Sequence, residues 1–200
     1  MSNVWLTSDL HIGHRRVTTL RGFDYTVEHD EAIRENWLDV VRKGDKVWVL
    51  GDIAVSSPAY ALGFLAKLPG DKHLVWGNHD GGHPMHRDAH RKAACYLEVF
   101  ASTQAFARRR VLGREVLLSH FPYFGDTEGR VKDRHTQYRL RDEGLPLIHG
   151  HTHSSSQFST APTRYPFTPQ FHVGLDAHAM RLVPLSWVED QIRTLYGPEA

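Results

Sequence analysis

The sequence predicts an α/β fold in which short strands alternate with helices through the first half of the chain. Three observations support this: short apolar runs end in turn residues, stretches with helical spacing separate them, and 200 residues suffice for a sizeable core. Hydrophobic residues make up 40% and charged residues 24%, which is a globular composition. The strand–helix–strand order favours a largely parallel sheet with helices on its faces. We expect a single domain over residues 1–200.

The first half contains two predicted helices between three predicted strands. Thr26 is expected to cap the first helix, whose apolar residues recur at helical spacing as far as Val41. Ser57 followed by Pro58 predicts the start of a second helix that runs to about residue 68. The strands are short apolar runs at residues 4–6, 47–50 and 74–76.

The second half is richer in predicted strands. Residues 97–119 favour two or three strands with a turn near Leu112 and Gly113. Two further strands fit residues 145–149 and 171–173, and Ser186 is expected to cap a last helix that ends near residue 195.

Two segments of the second half carry no clear pattern. Residues 126–143 are charged but locally neutral, and we expect them to border the functional site. Residues 154–170 contain three prolines and no strand or helix signal. A structureless loop of that length is uncommon in a compact domain and is often a functional flap, so closure over a site and self-association both stay open.

Composition excludes several classes of protein. Lys and Arg number 24 against 23 Asp and Glu, so the net charge of +1 argues against a coat for nucleic acid or for an anionic membrane. Cys95 is the only cysteine, which excludes an intramolecular disulfide and a multi-thiolate zinc site. Because the sequence has neither a long apolar run nor a signal-peptide pattern at its start, we expect a cytoplasmic protein.

Histidines and carboxylates recur where predicted strands end. In extended backbone, residues i and i+2 face the same side, so each D-x-H or H-x-H pair aims two ligands at one point. Glycines at 51, 77 and 150 come just before ligands, where the backbone must turn sharply or approach closely. The segments are Asp9–His11, Asp52, Asn78–Asp80, His120 and His151–His153.

The order D-x-H, G-D, G-N-H-D, H and G-H-x-H resembles the calcineurin-like metallophosphoesterase superfamily. These blocks extend from residue 9 to residue 153. The later segment F-H-V-G-L-D-A, followed by V-P-L-S, is similar to the closing part of small stand-alone members from bacteria and phages. The resemblance implies a four-layer α/β/β/α sandwich of two mixed β-sheets flanked by helices.

The resemblance also implies roles for individual residues. Asp52 would bridge two metal ions, and His79 matches the family's non-ligand histidine beside the substrate. One ion would take Asp9, His11, Asp52 and His153, and the other would take Asp52, Asn78, His120 and His151.

This ligand set suits hydrolysis of phosphate esters. Two cations roughly 3.5–4 Å apart can hold a bridging hydroxide for in-line attack and stabilise the phosphoryl charge. A protonated His79 is suited to act as general acid on the leaving oxygen. Nitrogen and oxygen ligands without thiolate favour Mn²⁺, Fe or Zn²⁺, and we expect Mn²⁺.

Substrate contacts are expected from Asn78, His14 and Tyr123. Packing is the competing interpretation for Tyr123, and a solvated loop is the competing one for His14. Asp80 follows His79 and would either orient its imidazole or stabilise the turn.

We expect a phosphodiesterase acting on small diesters such as cyclic nucleotides, because no insertion long enough for a cap separates the blocks. The alternatives are a nuclease or a phosphomonoesterase of the same family, and a metal-binding scaffold without turnover. The expected partner is a small phosphodiester or nucleotide; nucleic acid is not favoured and a membrane is not expected. The sequence leaves the oligomeric state open.

Overall fold

The computed structural model describes residues 2–126, 133–161 and 167–197. Its strands are β1 Val4–Thr7, β2 Lys46–Val49, β3 Asp71–Val75, β4 Ser102–Gln104, β5 Ala107–Val111, β6 Arg114–Leu118, β7 Leu147–His149, β8 Phe158–Ala161, β9 Thr168–His172 and β10 Val183–Pro184. Its α-helices are α1 Arg15–Leu20, α2 Thr26–Val40, α3 Pro58–Leu65, α4 Ala89–Tyr96 and α5 Leu185–Tyr196.

The strands form two five-stranded mixed sheets. Sheet A has the order β10-β1-β2-β3-β4, in which β1 to β4 are parallel and β10 is antiparallel. Sheet B has the order β5-β6-β7-β9-β8, in which β6, β7 and β9 are parallel and the edge strands β5 and β8 are antiparallel. The expected architecture of two mixed sheets flanked by helices is confirmed.

The two faces of sheet A are both apolar, as a covered parallel sheet requires. Val47 and Val49 point to one face, where they belong to a buried cluster with Trp37 of α2 and residues of α3 and α4. Leu50 points to the other face and packs with Ile148 of sheet B, in a cluster that also contains Val188 and Ile192 of α5. The core is thus divided into a helix–sheet layer and a sheet–sheet layer.

The helices begin close to the predicted positions. Tyr25 is the N-cap of α2, one residue before the expected cap, and its amide donates a hydrogen bond to Glu28. Ser57 and Pro58 begin α3 as predicted, although the helix ends at Leu65 rather than near residue 68. Among the described residues, no helix combines the length and apolar character needed to cross a bilayer.

The expectation of a structureless segment at 154–170 was wrong. Strand β8 and strand β9 pair there as an antiparallel hairpin, with Ser159 opposite Gln170; residues 162–166 lie outside the described part of the chain. The sequence pattern did not predict β8 because it is an edge strand whose first three residues are exposed. Such a strand lacks the alternation of apolar and polar residues. Strand β9 overlaps the strand expected at 171–173 but begins earlier, at Thr168, because its first residues are buried although several of them are polar.

Candidate metal centre

The predicted ligands come together at one edge of the sandwich, where the parallel strands of both sheets end. Each follows the carboxyl end of a strand, which is where open α/β sheets place their sites. They lie after β1 (Asp9, His11), β2 (Asp52), β3 (Asn78), β6 (His120) and β7 (His151, His153).

Asp52 lies at the middle of this group. Its Oδ2 atom is 3.5 Å from His120 Nε2, 3.9 Å from His11 Nε2 and 3.9 Å from His79 Nε2. The side chain is buried, and both burial and the neighbouring Asp9 carboxylate raise the pKa of Asp52 well above its ordinary value. Divalent cations beside this carboxyl would favour its ionised form.

The nitrogen and oxygen atoms of the remaining residues form two adjoining groups. In one, His11 Nε2 lies 3.1 Å from His153 Nε2, which is 3.9 Å from Asp9 Oδ1. In the other, His120 Nε2 lies 3.1 Å from Asn78 Oδ1 and 3.2 Å from His151 Nδ1. These groups correspond to the two predicted ligand sets.

The donor atoms fit divalent cations. One ligand atom from each of Asp9, His11 and His153 lies within 4.8 Å of the others, and the same holds for Asp9, Asp52 and His120. Burial lowers the pKa of His11 and of His120, so both rings are neutral near pH 7 and carry the lone pair that a metal needs. His120 Nδ1 donates to the Leu50 carbonyl, so the lone pair of Nε2 faces the Asn78 Oδ1 acceptor, an arrangement that a cation between them would stabilise.

The backbone is left-handed at five of the predicted ligand positions. Non-glycine residues seldom adopt positive φ, and Asp, Asn and His do so most readily. The φ angles are 58° at Asp9, 48° at His11, 56° at Asp52, 71° at His151 and 52° at His153. This conformation turns the chain sharply after β1, β2 and β7 and brings these side chains towards one another.

Glycines let the ligand loops approach one another, as predicted. Gly51 has a φ of 88°, and a Cβ there would lie 2.5 Å from the Gly77 Cα atom and 2.7 Å from His120 Nδ1. A Cβ on Gly150 would lie 2.5 Å from Asp9 Oδ2. No side chain fits at either position without moving the site.

Asp80 stabilises the turn around Asp52. Its carboxylate accepts hydrogen bonds from the amides of Asp52 at 2.9 Å, Ile53 at 3.1 Å and Gly77 at 2.8 Å. Burial, together with Asp52, raises the pKa of this carboxyl to about 7. Among the described residues, its hydrogen bonds go to these amides and none reaches the His79 ring, in line with the turn-stabilising interpretation.

Two residues that sequence reasoning missed hold His153. Asp176 accepts a hydrogen bond from His153 Nδ1 at 2.9 Å and two from Arg21, at 2.9 and 2.8 Å. Burial acts to raise the pKa of Asp176, but the hydrogen bonds from Arg21 and His153 outweigh it and lower the pKa. Arg21 also donates to the Asp9 carbonyl at 2.7 Å. One buried guanidinium therefore holds the backbone at Asp9 directly and the His153 ring through Asp176.

The charged segment borders the site, as expected, through Asp126 and Arg134; residues 127–132 lie outside the described part of the chain. Asp126 Oδ1 is 3.4 Å from His151 Nε2 and 2.8 Å from the Arg134 guanidinium. Arg139 lies 3.8 Å from the same carboxylate. His151 Nε2 therefore faces a carboxylate, whereas Nδ1 of the same ring lies beside His120.

A cavity of about 670 Å³ opens over the centre. His79 and the predicted substrate contacts His14 and Asn78 line it, and the His79 side chain is 41% exposed. Burial and His120 lower the pKa of His79 to about 4. Tyr123 does not line this cavity: it is buried, and its hydroxyl donates to the Leu145 carbonyl at 3.0 Å, which favours the packing interpretation. The remaining lining residues include Arg16, Arg134, Val17, Leu20 and Val55.

Two further histidines lie close behind the centre. His149 and His172 are each 2% exposed, and their rings stack 5.3 Å apart. Burial lowers the pKa of His149 to about 3 and also lowers that of His172, so both imidazoles are uncharged at neutral pH.

Residues 3–165 match the family model described as the calcineurin-like phosphoesterase superfamily domain. The chain belongs to this superfamily. Calcineurin-like phosphoesterases typically bind divalent metals, which agrees with the carboxylate and imidazole groups at the strand ends. Membership of the superfamily does not specify the type of ester, the metal or the substrate.

Two phage proteins are similar to this calcineurin-like chain over 98% or more of its length. The gene 66 protein of Mycobacterium phage L5 is 46% identical over 100% of the chain and 98% of the relative. The gene 66 protein of Mycobacterium phage D29 is 46% identical, covering 98% of each. A solved structure, the protein of unknown function AQ665 from Aquifex aeolicus, has a TM-score of 0.72 and 21% identity over 96% of this chain and 100% of its own. That structure shows the shared fold alone.

Proposed function

We propose that the chain is a dinuclear-metal phosphodiesterase that hydrolyses small diesters such as cyclic nucleotides. The observation that carries the proposal is Asp52, a buried carboxylate within 3.9 Å of an imidazole from each predicted ligand set and of His79. All of these groups lie beneath an open cavity.

One ion would be held by Asp9, His11, Asp52 and His153, and the other by Asp52, Asn78, His120 and His151. The mixed nitrogen and oxygen donors suit Mn²⁺ better than Mg²⁺ or Ca²⁺, which prefer oxygen ligands alone. Bound cations would supply Lewis-acid stabilisation of phosphoryl charge and a more acidic water. The protein must then orient the ester and move a proton.

His79 would move that proton. Its pKa of about 4 leaves the imidazole neutral while the cavity holds no anion. A bound phosphate ester carries negative charge, which favours the protonated ring and opposes the effect of the cations on its pKa. The ring would then protonate the leaving oxygen, while Arg16 and Arg134 on the cavity wall attract the anion.

The preference for diesters rests on the shape of the cavity. Val17, Leu20 and Val55 form an apolar part of its wall, and Leu20 is 76% exposed. This wall would contact the second ester group, which a monoester lacks. Burial of that group would favour the diester through the hydrophobic effect.

The test uses protein stripped by a chelator and resupplied with Mn²⁺, with bis(p-nitrophenyl) phosphate and the matching monoester as substrates. We expect diester turnover that Mn²⁺ restores and that Asp52→Asn or His79→Ala reduces by about 10²-fold or more. His90→Ala, an exposed histidine in α4, is the matched control and should retain activity.

Three other outcomes would contradict the proposal. Faster hydrolysis of the monoester would indicate a phosphomonoesterase. Salt-sensitive degradation of DNA or RNA with no small-diester activity would indicate a nuclease. Tight Mn²⁺ binding without turnover of either ester would indicate a metal-binding scaffold.

A further inference from the structure

Two polar residues in the first turns of α2 are buried beside the candidate metal centre. His29 is fully buried and Asp30 is 3% exposed, at positions where a helix packed on a core normally turns apolar side chains inward. Neither residue is one of the predicted ligands. Because a buried carboxylate is costly unless it is paired and hydrogen-bonded, the partners of Asp30 indicate what these two residues do.

Asp30 holds the loop that follows β1. The Gly13 amide donates to both of its carboxylate oxygens, to Oδ1 at 3.0 Å and to Oδ2 at 3.1 Å. The Tyr60 hydroxyl donates to Oδ2 at 3.2 Å. Gly13 has a φ of 72° and lies between the predicted ligand His11 and the predicted substrate contact His14. The carboxylate therefore fixes the backbone where the chain turns between two side chains of the site.

His29 connects Asp30 to Arg21. Arg21 Nη1 lies 3.0 Å from His29 Nε2, and a guanidinium can only donate, so Nε2 is the acceptor. The proton of this neutral imidazole is then on Nδ1, which donates to Asp30 Oδ1 at 3.0 Å. The ring thus joins the guanidinium to the carboxylate in one fixed tautomer.

Arg21 extends this connection to one predicted ligand set. Its side chain is 4% exposed, and it donates to the Leu10 carbonyl at 3.3 Å as well as to the Asp9 carbonyl and to Asp176. Asp176 in turn accepts the hydrogen bond from His153. Every link of the resulting chain is a hydrogen bond of 3.0 Å or less, and its members are Gly13, Asp30, His29, Arg21, Asp176 and His153.

The second predicted ligand set is held by other contacts. His120 Nδ1 donates to the Leu50 carbonyl at 2.7 Å, and the Asn78 carbonyl lies 3.0 Å from His86 Nε2. The hydrogen-bond chain from α2 leads instead to the loop of Asp9 and His11 and to the ring of His153. A change within α2 should therefore affect one of the two metal positions more than the other.

We propose that Asp30 and His29 are positioning residues for the metal ion that Asp9, His11, Asp52 and His153 would hold. Both act through other residues, Asp30 through the Gly13 amide and His29 through Arg21. Partners behind metal-binding side chains fix the orientation of the ligands, and their loss weakens metal binding. The inference rests on the proposed dinuclear centre and adds helix α2 to it.

The experiment is a Mn²⁺ titration of the chelator-stripped full chain without any ester, followed by calorimetry and by electron paramagnetic resonance. Two coupled Mn²⁺ ions give a spectrum different from that of a single ion. His11→Ala and His120→Ala each remove a ligand of one ion only, so they provide the reference spectrum and affinity for each position. The parent chain should bind two ions.

Asp30→Asn keeps the shape of the side chain but removes its charge. We expect the affinity for the ion at His11 to fall about 10- to 100-fold and that for the ion at His120 to change by less than about twofold. With limiting Mn²⁺, the spectrum should resemble that of His11→Ala. Asp39→Asn is the matched control, because Asp39 is a carboxylate of the same helix whose side chain is 66% exposed, and it should bind both ions as the parent does.

Three further variants separate hydrogen bonding from packing. His29→Gln supplies a donor and an acceptor, whereas His29→Leu supplies neither, so the glutamine variant should bind the ion at His11 more tightly. Tyr60→Phe removes one hydrogen bond to Asp30 from a side chain that is 53% exposed, and should weaken the same ion by a smaller factor than Asp30→Asn. Thermal melting of the metal-free variants checks that each one folds.

Four results would overturn the inference. Parent affinity for both ions in Asp30→Asn would remove the role of the carboxylate, and an equal loss of both ions would show that it only stabilises the fold. Equal binding by His29→Gln and His29→Leu would remove the role of the imidazole nitrogens. A parent chain that fails to bind two ions would contradict the dinuclear centre itself, and this result is recognised before any variant is compared.

Discussion

His153 and His151 show how single carboxylates set the orientation of the site. Each ring turns one nitrogen towards the centre and the other towards a carboxylate. His153 Nδ1 is hydrogen-bonded to Asp176 at 2.9 Å, whereas His151 Nε2 lies 3.4 Å from Asp126, outside hydrogen-bond geometry. Such partners fix the tautomer and orientation of a metal-binding imidazole. The arrangement at His153 is the tighter of the two, since Arg21 holds Asp176 with two further hydrogen bonds.

Asp176→Asn tests this positioning role. The substitution keeps the shape but weakens the charge-assisted bond to His153, so we expect Mn²⁺ affinity to fall about 10- to 100-fold. Isothermal titration with Mn²⁺ measures the change. Asp190→Asn is the control, because Asp190 is an exposed partner of Arg193 on α5. Unchanged affinity in Asp176→Asn would refute the role.

Gly51→Ala tests the close approach of the loops. Gly22 is the matched control: its φ of 82° is similar to the 88° of Gly51, but nothing lies within 4 Å of a Cβ placed there. Both alanine variants lose about 1–2 kcal/mol to left-handed strain. Gly51→Ala should lose further stability and Mn²⁺ binding, because its Cβ would overlap the Gly77 backbone. Equal losses in denaturant unfolding and in metal titration would contradict this account.

At the scale of elements, the connection between α2 and β2 depends on one buried carboxylate. Asp45 accepts hydrogen bonds from the Asn3 amide at 2.8 Å, the Arg42 amide at 3.0 Å and the Trp5 indole at 3.2 Å. It thereby joins the start of β1 to the end of the helix. The bond from the Arg42 amide, followed by that from Asn3, lowers the pKa of Asp45.

Asp45→Asn should make the melting temperature of the protein less dependent on pH under acidic conditions. A carboxyl whose pKa is lower in the folded state stabilises the protein above its unfolded pKa of about 3.9, and that stability is lost as the pH falls through the folded value. Melting temperatures of the parent should therefore decline more steeply below about pH 4 than those of the variant. Asp24→Asn, at an exposed position, should decline like the parent. Coincident profiles for the parent and Asp45→Asn would exclude the effect.

The sequence was most informative for elements with local signals. Apolar runs predicted strands β1, β2 and β3 of sheet A, and Ser57–Pro58 predicted the start of α3. The order of the predicted ligand blocks indicated which side chains would lie together. Strand β8 was missed because an exposed edge carries no apolar alternation. Arg21 was missed because its role depends on Asp176, 155 positions away, and no local pattern encodes such a contact.

At the scale of the whole molecule, the candidate metal centre joins the two sheets. Asp9, Asp52 and Asn78 come from sheet A, whereas His120, His151 and His153 come from sheet B. A ligand that binds only the folded state stabilises it, and one that bridges two sheets opposes their separation.

Mn²⁺ should therefore raise the melting temperature. At 100 times the dissociation constant, one bound ion adds about 2.7 kcal/mol, which corresponds to roughly 5–10 °C for a chain of this size. Scanning calorimetry with and without Mn²⁺ measures the shift, and Asp52→Asn should show little of it. A shift of the same size in Asp52→Asn would indicate binding elsewhere.

The left-handed backbone at five of the predicted ligand positions restricts which residues those positions can accept. Glycine would relieve the backbone strain and so stabilise the metal-free folded state, but it offers no side-chain ligand atom. Most other side chains would retain the strain without coordinating anything. Aspartate, asparagine and histidine are the types that tolerate this conformation best and also bind metals. Stability of the apoprotein and affinity for metal are thus opposed at the same five residues, so variants selected only for thermal stability should lose the metal centre first.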